Sequence, residues 1–475
     1  MEILNAINDG LGSITVLIIL LVGIVYTFRL RGFQFTKFRR GLSYIFGKLK
    51  LSDDELDEGE VSPFQAVSTA LAGAFGVGNI SGVTTAITLG GPGALVWLVI
   101  SALLGMVTKY AEIYLSVRFR EKNDEGEWIG GPMYYIKNGL NEKWHWLAYF
   151  FAMAAMIGAL TTGNGTQVGN IADSINTSIQ TFIPAAAQYS EYIKGAIGLL
   201  LAVLIAYILF GGVQRIGSLA ESIVPPMALL SLGACLIAIF ANYQQIPYAL
   251  KTIFIAAFNP KAIFGGMAAV SIKSVINYGI RRGIFSNEAG LGTAPMAHAA
   301  TSESVPTRQG YYALLEVFST LITCIINGLL IVVCLPSDVI NYGTEGTNAL
   351  NAQALGTVFG DRIGSLIIAV ALSLFAFTTI VSWGLYGLRC AEYIFGPKGR
   401  KVFTWVYVVF VFVSSLLDLG FVWPLSDMAN SLMIIPNCTA LLFLSGEVAR
   451  GNKNYFENNI VDAMSGKKKD ASSAS

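Results

Sequence analysis

Apolar residues in this chain come in long unbroken runs, not in the alternation of half-buried strands or the one-sided stripe of soluble helices. Eleven runs approach the roughly 20 residues a helix needs to cross a bilayer: about 11–28, 63–89, 93–117, 147–172, 195–214, 219–241, 263–282, 311–335, 364–388, 402–419 and 424–448. Two are interrupted. Ala70 to Val83 reads ALAGAFGVGNISGV, and each of Gly73, Gly76, Gly78 and Gly82 costs up to about 1 kcal/mol against alanine in a helix interior, so a break is predicted there. Unwound backbone survives inside a bilayer only where protein or a polar cavity satisfies it, which makes the stretch a site candidate. The seventh run carries Gly265, Gly266, Ser271, Lys273, Ser274, Asn277 and Gly279, and a second break is expected at Gly265, Gly266 and Ser271.

Setting the first run aside leaves ten, or two fives. Because five is odd, the halves cross the membrane in opposite senses, and the two interrupted runs become the first helix of each half, facing a site at the midplane. The expected fold class is an all-α polytopic membrane protein with 11 transmembrane helices: a ten-helix core of two inverted five-helix repeats with discontinuous first helices, plus one extra N-terminal helix. Residues 1–62 form that helix and a basic cytoplasmic segment, 63–241 the first repeat, 242–448 the second, and 449–475 a cytoplasmic tail.

Composition agrees: 475 residues, 54% hydrophobic, only 13% charged and a mean hydropathy of +0.60 are outside the range of a soluble domain. A formal net charge of +1 gives no reason to expect a nucleic-acid partner, so the partner expected from composition is the lipid bilayer. Placement of charge is more informative. Twenty-five lysines and arginines fall in the loops on one side and four, Lys194, Lys251, Lys261 and Arg362, on the other. This puts the N-terminus outside and the C-terminus in the cytoplasm of a cell whose plasma (inner) membrane holds the protein. Arg281, Arg282 and Arg308 are counted on the cytoplasmic side, with the intervening SNEAGLGTAP read as an ordered cytoplasmic loop.

The first run has basic residues after it and none before it, so it reads as a retained helix and not a secretory signal. Phe33 to Lys50 alternates aromatic and basic residues as an interfacial segment would. Ser52 to Glu60 is an acidic solvated loop, Ser62 and Pro63 begin the second span as N-cap and first-turn proline, and the tail from Gly466 reads as disordered. Five cysteines, all in or beside apolar runs, lack the close spacing of a metal site or disulfide framework.

Candidate chemistry concentrates in three spans. In the first break, Gly76, Gly78 and Asn79 lie where an exposed helix N-terminus would offer N–H groups to a carboxylate, and the Asn79 oxygen suits a hard cation such as sodium. The fourth span holds GALTTGNGTQVGN, in which interhelical hydrogen bonding and substrate contact are both open, with Gln167 the preferred contact. The ninth holds Thr378, Thr379 and Ser382, whose hydroxyls suit sodium or bond back to the i−4 carbonyl, and Trp383, a wall for a small apolar group. No Asp or Glu stands near the middle of a core span, which favours sodium over proton coupling. His145 and His298 sit in loops, and no HExxH, GxSxG or P-loop pattern occurs, so an enzyme is not expected.

GGPGALVWLVISALLG at Gly90 to Gly105, RRGIFSNEAGLGTAPMAHAA at Arg281 to Ala300 and GPMYYI at Gly131 to Ile136 resemble the alanine or glycine:cation symporters, sodium-coupled amino-acid transporters, over nearly the whole chain. Val96 stands where that signature has an aromatic residue. The resemblance extends to the leucine-transporter fold, and AFGVGNI at Ala74 to Ile80 is similar to the first-helix motif of neurotransmitter:sodium symporters. It implies that the amides of Gly76 and Gly78 hold the substrate carboxylate and that Asn79 ligates sodium. It further implies backbone cation ligands at Ala72, Ala74 and Phe75, the carbonyls of Ala72 and Phe75 joining Thr378, Thr379 and Ser382 in a second cation site. Its implied function is uptake of alanine or glycine with co-transported sodium, no organic cofactor, by alternating access. A passive channel for small polar solutes is the alternative, disfavoured because polar residues cluster at the midplane and do not line a path.

Overall fold

The computed structural model describes residues 2–48, 60–260, 271–343 and 348–472. It is all helical apart from one short hairpin, Glu121–Lys122 against Trp128–Ile129. Helix α1 (Glu2–Arg29) precedes α2 (Pro63–Ala74), whose start is a complete capping box: Ser62 Oγ accepts from Gln65 N, and Gln65 Oε1 accepts from Ser62 N. The helix stops at Phe75, a short 3₁₀ turn covers Val77–Asn79, and α3 (Ser81–Gly90) resumes the path. The break expected at Ala70 to Val83 is therefore present, and it is buried throughout.

Next come α4 (Ala94–Arg118) and α5 (Trp146–Leu160), which passes through a π turn at Thr161–Gly165 into α6 (Thr166–Phe182). They are followed by α7 (Ser190–Leu209) and α8 (Gly212–Ala241). After residues 261–270 the chain returns as α9 (Ile272–Asn287), α10 (Ala294–His298) and α11 (Tyr312–Cys334). α12 (Asn348–Phe359) leads to α13 (Asp361–Ser414), divided at Gly396 by a φ of 69°, and to α14 (Leu419–Ser472).

Eight helices among the described residues are long and apolar enough to cross a membrane. The two halves of the broken helix are each too short to qualify, α9 likewise, and α13 enters once although Gly396 bends it. The all-α polytopic architecture is that of the expectation. α13 packs along α5, α6 and α7, while α4 lies between α9 and α11. These packed surfaces fix the two faces between which the broken helix sits.

Three expectations need correction. The interruption that adjoins the first break does not fall at Ser271, which was expected to share it with Gly265 and Gly266. Gly265 and Gly266 lie outside the described residues, and Ser271 is the exposed N-cap of α9, accepting from Ser274 N at the far end of that helix. Chain direction instead changes after Asn287, where Glu288 (φ 53°), Gly290 (φ 88°) and Gly292 (φ 81°) take left-handed backbone, which ends α9 and starts the short α10. SNEAGLGTAP is thus a buried interruption, not a cytoplasmic loop.

Arg281 and Arg282 consequently leave the basic side. Arg281 Nη2 donates to Asn8 near the start of α1 and to Asp427, both at 3.3 Å, which puts the pair toward the N-terminal end of the bundle. Their charge is met by an aspartate 146 and 145 residues away, a compensation that local reading cannot see. Lys273 is exposed in the first turn of α9 and needs no buried partner. Finally, α14 runs on to Ser472, because the tail from Gly466 holds one glycine and no proline to stop it. The acidic run falls mostly in 49–59, outside the described residues.

Candidate functional site

The first break is buried and is met by side chains from two other helices. Val77 N donates to Gln167 Oε1 at 3.1 Å, so the preferred residue of the fourth span does reach the unwound backbone. A Cβ on Gly76 would stand 2.9 Å from both Gln167 Oε1 and Thr379 Oγ1, and one on Gly78 would stand 2.6 Å from Phe285 Cδ1. Both glycines are therefore required by close approach and not only by helix weakening.

Asn79 is fully buried. Its Nδ2 donates to the Ala74 carbonyl at 2.6 Å, and its Oδ1 accepts from Ser286 Oγ at 2.6 Å and from Cys324 Sγ at 3.3 Å. The asparagine thereby ties the first break to the end of α9 and to α11. A carboxamide is suited to this because it donates and accepts from one planar group.

The ninth-span hydroxyls divide. Thr379 Oγ1 donates to the Ala72 carbonyl at 2.8 Å, and Ser382 Oγ to the Thr69 carbonyl at 2.9 Å. Both meet the last turns of α2, and Phe75 stacks on Phe375 of α13 with ring centroids 5.7 Å apart. Thr378 does not join them. Its hydroxyl bonds to the Leu374 and Phe375 carbonyls of its own helix and contacts Met227 Sδ on α8. One residue is a rotation of about 100° on a helix, enough to carry Thr378 off the face that Thr379 and Ser382 share.

Trp383 is also buried. Its Nε1 donates to Glu288 Oε1 at 2.8 Å, and Gly163 in the π turn lies so close that a Cβ there would stand 2.1 Å from the Trp383 Cβ. Glu288 accepts a second bond from Thr293 Oγ1 at 2.6 Å. An acidic side chain, absent from the centre of the core spans in the sequence reading, thus reaches the predicted substrate wall from the second interruption.

Behind that interruption lies a fully buried charge cluster. Lys109 Nζ donates to the Asn287 carbonyl at 2.7 Å and pairs with Glu316 at 2.9 Å; Glu316 in turn bonds His298, whose other ring nitrogen meets Gln309. Glu112 accepts from Gly292 N at 3.0 Å and from Asn437 Nδ2 at 2.6 Å. Every one of these groups is tied to the chain between Asn287 and His298. His298 is thus a core residue of the second interruption, while His145 stays at the surface.

Ser286, Glu288 and Cys324 are the site residues that sequence reasoning missed. GLG at Gly290 to Gly292 repeats the GVG spacing of Gly76 to Gly78 and was the available signal. The structure brings together Ala72, Ala74, Gly76, Asn79, Gln167, Thr379 and Ser382. Trp383 of α13 instead meets Glu288 and Gly163, and Thr378 and Ser271 stand apart.

A model of the sodium:alanine symporter family matches residues 1–470. A sodium/alanine symporter, AgcS, of Methanococcus maripaludis is 36% identical over 468 residues, covering 96% of this chain and 97% of that protein. A transporter of Haemophilus influenzae without assigned substrate is 38% identical over 460 residues, 96% of each chain. Among solved structures, MhsT in complex with L-phenylalanine superposes with a TM-score of 0.60 at 14% identity, over 82% of this chain and 90% of that one. At that identity the likeness establishes the fold, which is that of the leucine transporter.

Proposed function

The chain belongs to the sodium:alanine symporter family and is a cation-coupled amino-acid symporter, and from that premise we propose that it carries alanine or glycine inward with sodium. The observation that carries the reading is the meeting of three polar sets at one interrupted helix. Asn79 is joined to Ser286, Gln167 to Val77 N, and Thr379 to the Ala72 carbonyl.

In this reading the amides freed at Gly76 and Gly78 bind the substrate carboxylate, aided by the positive end of α3. Gln167 Oε1 holds the amide between them, that of Val77, until a carboxylate takes its place. The carbonyls of Thr69, Ala72 and Phe75 with the hydroxyls of Thr379 and Ser382 form an all-oxygen set of the kind a hard monovalent cation prefers. Asn79 and the Ala74 carbonyl form a second such group. Trp383, pressed against Gly163, bounds the space for the substrate side chain and favours a small one.

Residues 63–241 and 242–448 act as two inverted halves that rock about the two interruptions to expose the site alternately. Sodium and amino acid are coupled because each orders the same unwound backbone, so each raises the affinity for the other. The test is uptake of labelled alanine and glycine into proteoliposomes holding the purified protein, with and without an inward sodium gradient. Accumulation above equilibrium that collapses without sodium is expected; uptake indifferent to sodium, or no uptake of either amino acid, overturns the reading.

A further inference from the structure

Where α1 ends, the chain turns sharply. Arg31 and Gly32 take left-handed backbone, with φ of 54° and 65°, and the chain continues through the single turn Phe33–Thr36 into a short helix, Phe38–Lys48. One face of that helix is docked on α11. Phe38 meets Phe318 with ring centroids 5.2 Å apart, Tyr44 meets Tyr311 at 5.7 Å, and a Cβ on Gly41 would stand 2.9 Å from Tyr311 Cδ1. The outward face carries Arg39, Arg40 and Phe46, all exposed. Arg39 and Phe46 lie about two helical turns apart, so a cation and an aromatic ring share one stripe. Phe28 and Phe35, just before it in the chain, are exposed as well.

Charge on this surface is uncompensated. Among the described residues, Arg29, Arg31, Lys37, Arg39 and Arg40 have no carboxylate within ion-pair reach, whereas Arg118, Lys137, Arg400, Arg450 and Lys453 each pair with a glutamate. Lys37 and Arg40 lie over the Phe456 ring of α14, at 4.5 and 5.0 Å from its centroid, which orients the cations without cancelling their charge. Rings left exposed beside the end of an apolar helix suit the headgroup boundary of a bilayer, where the adjoining cations face lipid phosphates. A free phosphate would meet the cations and leave the rings in water; a phospholipid meets both.

The helix is also wired to the start of the broken helix. Tyr44 Oη donates to Glu303 Oε2 at 2.8 Å. Just before Glu303 the chain pairs with the residue ahead of the α2 N-cap: Val61 N donates to the Ala300 carbonyl at 3.0 Å, and Ser302 N to the Val61 carbonyl at 2.9 Å. We infer that the outward surface of Arg29 to Phe46 binds anionic phospholipid headgroups, and that lipid held there steadies, through Tyr44 and Glu303, the bridge that clasps Val61. The rival occupant is the acidic run that follows in the sequence, Asp53, Asp54, Glu55, Asp57 and Glu58.

The test is the melting temperature of the purified full chain in neutral detergent, titrated with dioleoylphosphatidylglycerol, dioleoylphosphatidylcholine or soluble glycerol phosphate. Phosphatidylglycerol alone should stabilise the wild type, and less so as salt rises. Each basic residue facing an anionic surface strengthens association about fivefold, so Lys37→Gln, Arg39→Gln and Arg40→Gln together should raise the phosphatidylglycerol concentration for half-maximal stabilisation by about a hundredfold. Equal stabilisation by both lipids, equal stabilisation by glycerol phosphate, or an unmoved midpoint in the triple variant overturns the inference. A wild type indifferent to every additive, with a triple variant that melts below it, assigns the surface to the acidic run and overturns the inference too. Should the triple variant fail to fold, Arg39→Gln decides alone: a midpoint raised about fivefold is expected, and an unmoved one overturns the inference.

The link to the clasp has its own readout. Sodium-driven alanine uptake in proteoliposomes should rise severalfold when phosphatidylglycerol replaces part of the phosphatidylcholine. Tyr44→Phe should lose that rise while keeping the wild-type lipid midpoint, and a Tyr44→Phe protein that responds as wild type does overturns the link. If wild type takes up neither alanine nor glycine in any lipid, it is the transport reading that fails, and the lipid titration still decides the binding.

Discussion

Ser286 donates its hydroxyl to Asn79 Oδ1 at 2.6 Å across 207 residues of sequence, so the interrupted helix of one half of the chain is held directly by the end of a helix in the other. Motion of either interruption must stretch or break this bond. Asn79→Ala and Ser286→Ala should each weaken sodium-dependent alanine binding by about tenfold, the order expected for a buried hydrogen bond lost with its partner left unmet. The double variant should be little worse than Asn79→Ala alone. Alanine titrations at fixed sodium on the purified protein check both statements, and full additivity of the two losses would show that the bond carries no coupling.

Gly163 touches Trp383 more closely than any side chain allows. Gly163→Ala therefore forces the indole from Glu288 or opens the π turn, at a cost of about 1–3 kcal/mol of stability from overpacking. A fall in melting temperature in detergent, accompanied by loss of alanine uptake, is the expected result. Retention of both would mean that the indole is free to move.

Lys109 is the one cation among the described residues that bonds the Asn287 carbonyl. Lys109→Met strands Glu316 with His298 alone and should destabilise the protein by about 3–5 kcal/mol, as for a buried pair cut on one side. Adding Glu316→Gln should recover much of the loss, since a neutral amide no longer needs the ammonium. Thermal unfolding of the single and double variants measures the recovery, and a double variant no better than the single one would count against an ionic role.

Glu127, in the hairpin outside the spans, gives a pH dependence of definite sign. Burial alone would raise its carboxyl, but Arg389 at 2.8 Å and Arg400 at 3.3 Å outweigh burial and hold it below the usual glutamate range. A carboxyl lowered on folding contributes stability that is complete above the unfolded glutamate value of about 4.3 and is lost as pH falls through the folded one. Melting temperature should therefore drop on acidification below that value, and Glu127→Gln should flatten this part of the profile while lowering stability near neutrality. An identical acid limb in the variant would refute the assignment.

The first break was legible because its signal is local: four glycines and an asparagine inside fourteen apolar-framed residues. The second carries the same glycine spacing at Gly290 and Gly292, yet Arg281 and Arg282 mask it, since two adjacent arginines mark a loop unless their counter-charge is known. That counter-charge, Asp427, lies in the last helix. Thr378 and Thr379 illustrate a finer limit. Composition presents both hydroxyls equally, and only the rotation of α13 against α2 and α8 decides which meets a carbonyl of the broken helix. Lys109, Glu316 and His298 come from three separated segments and share no spacing that a reader of sequence could recognise.

The two interruptions also differ in handedness. Phe75, Gly76 and Ile80 all keep negative φ, at −80°, −98° and −116°, so the first can wind back into continuous helix with modest torsional change. Glu288, Gly290 and Gly292 hold positive φ, and Glu288 pays an L-residue penalty of about 1–2 kcal/mol to stay there. Rewinding that segment would require three residues to cross the barrier between basins together. Of the two joints, the chain between Phe75 and Ile80 is the one that can rewind, and Glu288 to Gly292 is the one its own backbone holds open.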